Sequence, residues 1–382
     1  MTASRFPHLT RAPLAALLFS LAAPLAAQDT LLIGSVAPLT ESQSHIGKDN
    51  DNGARMAAEE INAAGGIKLG GKTYRIEVVS EDDRADPKTG SIVAQRLVDK
   101  KVKAVVGHLN SGTTIPASRI YHENGIVQVS PSATAVKYTA QGYPGAFRLM
   151  ANDAQQGAAL GAFAAKQFPK GRFAVVDDRT QYGQGLADEF IKAAKAAGGT
   201  LLTRQYTTDK ATDFLAILTA IKAEKPDLVF FGGMDPQGAP MARQMKQLGI
   251  NAPLLGGDGL QTANFIKLAG ADAEGTLASS PGVPLDKMPG GADFKSRYEK
   301  KYGPIQLYAP YAYDAMKVLA AAIERAGSTE HAKLAAAMRA SDHAGVTGRV
   351  RYDAKGDITG GAVTLYQVNN GAWQVLETVG GN

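Results

Sequence analysis

The chain has 382 residues, 45% hydrophobic and 20% charged, with a formal charge of +5. This is the balance of a folded globular protein with apolar residues for two cores, at roughly 150 residues per domain, and it excludes a disordered chain. The absence of cysteine excludes disulfide scaffolds, Cys-ligated zinc, iron–sulfur clusters and thiol nucleophiles, while a net +3 once Arg5 and Arg11 are set aside is too weak a field for a nucleic-acid partner.

Those two arginines open a leader. An apolar run over 12–23 follows, then Pro24-Leu25-Ala26-Ala27 with small residues at a cleavage position, then Gln28-Asp29. The run falls short of the ~20 apolar residues a membrane span needs, so 1–27 is expected to be a signal peptide removed near Ala27. No later stretch is long and apolar enough to span, and a periplasmic protein is expected.

From Thr30 onward strand-like runs alternate with helical spacing. A strand is expected at 31–36, a helix at 47–63 stopped by Gly65-Gly66, and an alternating strand through Tyr74, Ile76 and Val78. Pro87 opens a helix, 102–106 is a strand, 113–124 a helix and 126–129 a strand. The rhythm restarts after Phe147: helices at 154–168, 183–197, 212–223 and 240–248, and strands at 172–176, 201–206, 228–231 and near Leu254-Leu255. Alternating βα units of this kind make parallel sheets covered on both faces. The last third differs, with helices at 292–302, 311–326 and 329–340, then strands at 346–352, 362–368 and 373–378. Asn369-Asn370-Gly371 between the last two is a hairpin signal. This third has too little strand for a domain of its own and is expected to complete the other two.

Ligands of parallel α/β sheets bind outside the carboxyl ends of the strands. Two loops there are small and hydroxyl-rich: Gly107-His108-Leu109-Asn110-Ser111-Gly112-Thr113-Thr114, and Ser130-Pro131-Ser132-Ala133-Thr134. Small side chains expose backbone N–H groups, and a helix N-terminus adds partial positive charge, which together suit a carboxylate. The same residues also cap helices. Asp258 between glycines reads equally as a turn, and Tyr182 as the start of a helix. His108 reads as a satisfied, partly buried histidine, and Met241 and Met245 as core. Asp82-Asp83 reads as loop chemistry, because no His or Lys partner is evident nearby.

The ordered string formed by these two loops, Ile61-Asn62, Gly65-Gly66-Ile67, Asp86-Pro87-Lys88, Tyr182-Gly183-Gln184-Gly185, Gly232-Gly233 and Tyr311-Ala312-Tyr313-Asp314 resembles the leucine/isoleucine/valine-binding proteins of bacterial ABC importers, from about Leu31 to the end. The resemblance implies a type I periplasmic binding fold, two doubly wound parallel-sheet lobes joined by a three-strand hinge, with 28–150 and 282–360 in one lobe and 151–281 and 361–382 in the other. It implies that Ser111, with backbone groups of Ser132, Ala133 and Thr134, takes a ligand carboxylate. The Thr134 hydroxyl and Asp258 hold its ammonium, and Tyr182 closes over it. Met234, Ile46 and either Gln306 or Tyr308 shape the side-chain pocket. The family commonly has Glu where Asp258 stands, and Ala85 and Asn110 stand where some relatives have a disulfide.

No G-x-S-x-G, no phosphate loop, no G-x-G-x-x-G after a strand and no His-x-x-x-His is present. The expectation is therefore a binding protein and not an enzyme, with no cofactor and no metal. It is expected to be a monomer that captures an amino acid (Leu, Ile or Val) and delivers it to an inner-membrane permease. The alternatives are the same fold with an amide, urea-like or aromatic-acid ligand, and a ligand-sensing module.

Overall fold

The computed structural model describes residues 1–4 and 29–381; segment 5–27 of the expected leader lies outside the described residues. No helix among the described residues is long and apolar enough to cross a membrane.

The first sheet contains β1 (Asp29–Ala37), β2 (Ile67–Leu69), β3 (Lys72–Asp82), β4 (Ala104–Gly107), β5 (Val127–Ser130) and β6 (Ala146–Arg148), in the order β2-β3-β1-β4-β5-β6. All neighbours run parallel except the edge hairpin β2–β3. Strands β4 and β5 are buried at every residue, as strands covered on both faces are; the polar Gln128 and Ser130 of β5 donate to the carbonyls of Gly107 and His108. Helices α1 (Ser44–Ala63), α2 (Pro87–Asp99), α3 (Ser111–Glu123) and the short α4 (Lys137–Ala140) make the crossovers. Asp86 caps α2 by accepting the Thr89 N–H at 2.7 Å, with Pro87 in the first turn where its missing N–H costs nothing.

The chain then passes into a second layer. Helix α5 (Asp153–Gln167) starts with Asn152 and Gln155 in a reciprocal capping box. Strands β7 (Arg172–Asp177), β8 (Thr200–Tyr206), β9 (Leu228–Gly232), β10 (Leu254–Gly256) and β11 (Leu277–Pro281) alternate with α6 (Gln181–Ala196), α7 (Leu215–Glu224), α8 (Asp235–Gln247) and α9 (Ala263–Ala269). After β11 the chain returns to the first sheet as α10 (Gly291–Tyr302), α11 (Ala309–Ala326) and α12 (His331–Arg339). It makes the small ribbon β12 (His343–Ala344) with β13 (Arg349–Val350), then crosses again to β14 (Val363–Asn369) and β15 (Ala372–Val379). The second sheet has the order β15-β14-β11-β10-β9-β7-β8, and its last three-strand edge is antiparallel. The β14–β15 turn has Asn370 and Gly371 at positive φ, as an Asn-Gly hairpin demands.

The structure corrects several expectations. Helix α8 begins at Asp235, five residues before the expected start at Pro240: Pro236 sits in the first turn, where no N–H is needed, and Pro240 lies inside the helix. Segment 346–352 is not a full strand; only Arg349–Val350 pairs, with a single bridge from Tyr352 to Ile358. Strand β11 and helix α9 were not expected from the sequence, since their runs are five and seven residues long and short apolar runs carry little periodicity. Asp83 has a histidine partner after all. His108 Nδ1 lies 2.9 Å from Asp83 and its Nε2 3.0 Å from the Tyr121 hydroxyl, all enclosed. The two segments follow β3 and β4, which flank β1, so the contact is invisible along the chain.

Candidate functional site

The carboxyl ends of β4 and β5 place both hydroxyl-rich loops side by side. Ser111 is the first residue of α3, and its Oγ accepts the Ala135 N–H at 3.1 Å, leaving its own O–H to donate. Ser132 Oγ donates to the Leu109 carbonyl at 3.1 Å, tying the loops together. Ala133 differs from expectation: its N–H donates to Ser130 Oγ at 2.9 Å and so is already engaged. The Thr134 carbonyl accepts the Asp153 N–H at 2.8 Å, while the Thr134 hydroxyl is buried with no hydrogen-bond partner. Arg148, fully buried, fixes this loop from behind by donating to the carbonyls of Ala133 and Ala135 and to Asp357 and Thr139.

Asp258 follows β10 in a single 3-10 turn and is buried. Its Oδ1 accepts from Gln156 Nε2 at 3.0 Å and from the Tyr182 hydroxyl at 2.9 Å; its Oδ2 accepts from the Tyr308 hydroxyl at 2.7 Å. Burial pushes its pKa up and these three donors pull it back. Burial first, and the Asp258 charge second, raise both phenols well above their usual range, so they stay protonated donors. The flanking glycines have a steric reason. A Cβ on Gly257 would fall 2.6 Å from the Tyr182 hydroxyl oxygen and 2.3 Å from Leu186, and one on Gly259 would fall 2.7 Å from the Met234 sulfur. A side chain at 257 would push Tyr182 off the acid, and one at 259 would displace Met234.

Tyr308 comes from the first layer and Asp258 from the second, so their bond spans the crevice. Gln306, the other candidate, turns outward and donates to the Pro304 carbonyl. His45, at the start of α1, makes a second bridge to Asp235 of α8 at 2.9 Å. Ile46, Tyr182, Met234 and Tyr308 all belong to one buried apolar cluster. Beside Tyr182 and Met234 a cleft of about 430 Å³ opens, lined also by Gln43, Asn110, Arg84, Asp178, Arg179 and Lys210.

The reasoning from sequence missed Gln156. It clamps Asp258 twice, since its Oε1 also accepts the Asp258 N–H at 3.1 Å, and the same oxygen accepts from Ser279 Oγ at 2.6 Å. A lone Gln on a helix, 102 residues from its partner, gives no signal in the sequence. Asp49 was missed for the same reason: from α1 it accepts the N–H groups of Gln306, Leu307, Tyr308 and Ala309. Among the described residues no group of three or more His, Cys, Asp or Glu is placed to hold a metal, and no histidine bonds to Ser111 or Ser132. The arrangement offers opposed donors and acceptors but no activated nucleophile.

The family described as periplasmic binding protein matches residues 30–372. The Leu/Ile/Val-binding protein BraC3 of Rhizobium johnstonii is 38% identical over 356 residues, covering 92% of this chain and 95% of that protein. A leucine binding protein, LivK, of Thermotoga maritima superposes with a TM-score of 0.85 at 29% identity, over 92% of this chain and 99% of the other. The branched-chain amino acid transporter substrate binding protein LivJ of Streptococcus pneumoniae, solved with isoleucine, gives 0.82 at 27% identity, over 92% and 100%. With its two mixed α/β sheets joined by repeated crossings, the chain belongs to the periplasmic binding protein family and has that family's type I fold.

Proposed function

We propose that this protein captures an amino acid with a small apolar side chain, most simply Leu, Ile or Val, in the periplasm and delivers it to the permease of an ABC importer. The two lobes are 28–150 with 282–360 and 151–281 with 361–382, and the leader is removed near Ala27. Ser111 and the 132–134 loop take the carboxylate, Asp258 and the Thr134 hydroxyl the ammonium, and Tyr182, Met234, Ile46 and Tyr308 enclose the rest. The protein works as a monomer and by binding rather than turnover. The observation that carries this reading is Asp258: a buried carboxylate held by three donors, one of them reaching across the crevice. Relatives and a solved neighbour are named for these amino acids. Ligand contacts shared by two lobes favour the closed state through differential affinity.

A thermal-shift screen of amino acids, amides and aromatic acids, followed by calorimetry, tests it. Leucine, isoleucine or valine is expected to stabilise the protein. Asp258→Ala is expected to weaken binding at least ~100-fold, since an uncompensated buried charge costs about 3–5 kcal/mol. Stabilisation by an amide or aromatic acid alone, or near-unchanged affinity in the variant, rejects the assignment.

A further inference from the structure

Asp153, the first residue of α5, is fully buried, and neither of its carboxylate oxygens has a hydrogen-bond partner. A carboxyl group is seldom buried without partner or cation, because desolvation is costly. The neighbourhood says what is missing. The Thr134 hydroxyl, also buried and with no partner in good hydrogen-bond geometry, is the polar group that most favours the Asp153 carboxylate, and the Asp153 N–H bonds the Thr134 carbonyl. Asp258 lies near enough to repel it, and Asp153 in turn acts on the Tyr182 phenol. Both groups assigned above to the ligand's amino end, Thr134 and Asp258, and the Tyr182 phenol that encloses the ligand therefore act on it or are acted on by it.

The charged groups facing Asp153 do not neutralise it. Asp258 and Glu189 are acidic. Arg148, the cation that acts on it, has its guanidinium committed to Asp357, Thr139 and two carbonyls. Asp153 also lines a cavity of about 260 Å³ between 135–137 and the first turns of α6, where Asp188 and Glu189 outnumber Lys137.

We propose that Asp153 is a second acidic group of the ammonium pocket, which contacts the ligand's amino group together with Thr134 and Asp258 and gives up a proton when that group arrives. The proposal rests on the function proposed above. Burial, only partly opposed by the Thr134 hydroxyl, pushes the Asp153 pKa up to about 8, so the empty site holds a neutral acid at pH 7. An ammonium alongside stabilises the carboxylate; the proton passes to solvent, and the ligand stays charged. Because the bound state then holds fewer protons, affinity rises with pH up to about 8.

The test is calorimetry of the full mature chain with leucine at pH 6 and pH 8, in buffers of different ionisation enthalpy. The expected results are an affinity at least ~10-fold higher at pH 8 and proton release at pH 7. Asp153→Asn is expected to abolish both and to bind leucine at least ~10-fold more weakly at pH 8, while melting no lower than the parent. A merely structural Asp153 would lower the melting temperature instead. Asp153→Ser serves if the Asn variant does not fold. As a control, 4-methylpentanoate, which is leucine without its ammonium, is expected to release no proton. If leucine binds through Asp258 but without proton release, or equally well to the Asp153 variants, this inference fails alone. If leucine does not bind the parent protein, the functional reading fails and takes this inference with it.

Discussion

In the proposed site Ser111 and Asp258 have different roles, and variants separate them. Ser111 Oγ already accepts one backbone N–H and offers a single donor. Ser111→Ala is therefore expected to cost about 1.5–3 kcal/mol, or roughly 10–100-fold in leucine affinity by calorimetry, as for one hydrogen bond to a charged group. Normal leucine binding would move the carboxylate elsewhere. The buried acids also set a pH dependence of stability. Burial raises Asp178 from 3.8 to about 6 and Asp153 from 3.8 to about 8. The folded state thus holds protons that the unfolded state has lost, and stability falls as pH rises from about 4 to about 8. The melting temperature of the ligand-free protein is expected to drop across that window, with a shallower slope in Asp153→Asn; an unchanged slope would show that Asp153 ionises freely when folded. At this scale the sequence was readable only where composition was unusual. Asp258 stood out between glycines, and Ser111 and Thr134 in hydroxyl-rich loops. Gln156 and Asp153 did not, because burial and missing partners are properties of the fold.

Between elements, the decisive contact is α1 against α11. Gly53 lies so close that a Cβ there would be 2.2 Å from the Ala309 carbonyl oxygen. One turn earlier Asp49 collects the N–H groups of residues 306–309, the start of α11, so one helix caps another. Tyr308 sits in the strap so held. Asp49→Ala leaves four N–H groups without this acceptor, those of Tyr308 and Ala309 buried and those of Gln306 and Leu307 partly so, at about 1–3 kcal/mol for each buried one. It is expected to lose about 2–6 kcal/mol in urea denaturation and to weaken leucine binding through the displaced Tyr308 hydroxyl. Wild-type affinity in a destabilised variant would show that the strap serves stability alone. The long amphipathic helices and the doubly buried strands were legible from periodicity, and α3 and β5 came within two residues. The start of α8 was not, because a proline inside a helix and one at its start look alike without the hydrogen bonds.

The whole molecule is held across its crevice by His45–Asp235 and Tyr308–Asp258. Neither half contains both partners of either bond, so both bonds exist only when the halves meet. Hinge motion of this kind is governed by the balance between open and closed states. His45→Ala removes a closing contact without touching the proposed ligand position. It is expected to weaken leucine about 3–10-fold, the worth of roughly one hydrogen bond. Solution scattering should show a radius of gyration that falls when leucine is added to the parent protein. No change in radius with bound leucine would rule out closure as the response.

The sequence alone determined the secondary-structure rhythm, the two-layer α/β class and the hydroxyl-rich loops, because helix and strand periods, glycine stops and proline starts are local properties of the chain. Only the tertiary structure decided which polar groups share a buried space. The clamp of Gln156 on Asp258, the reach of Tyr308 across the crevice and the unpartnered carboxyl of Asp153 each join segments far apart in the chain. Whether a carboxyl is solvated, paired or stranded depends on what closes over it, and no local pattern records that.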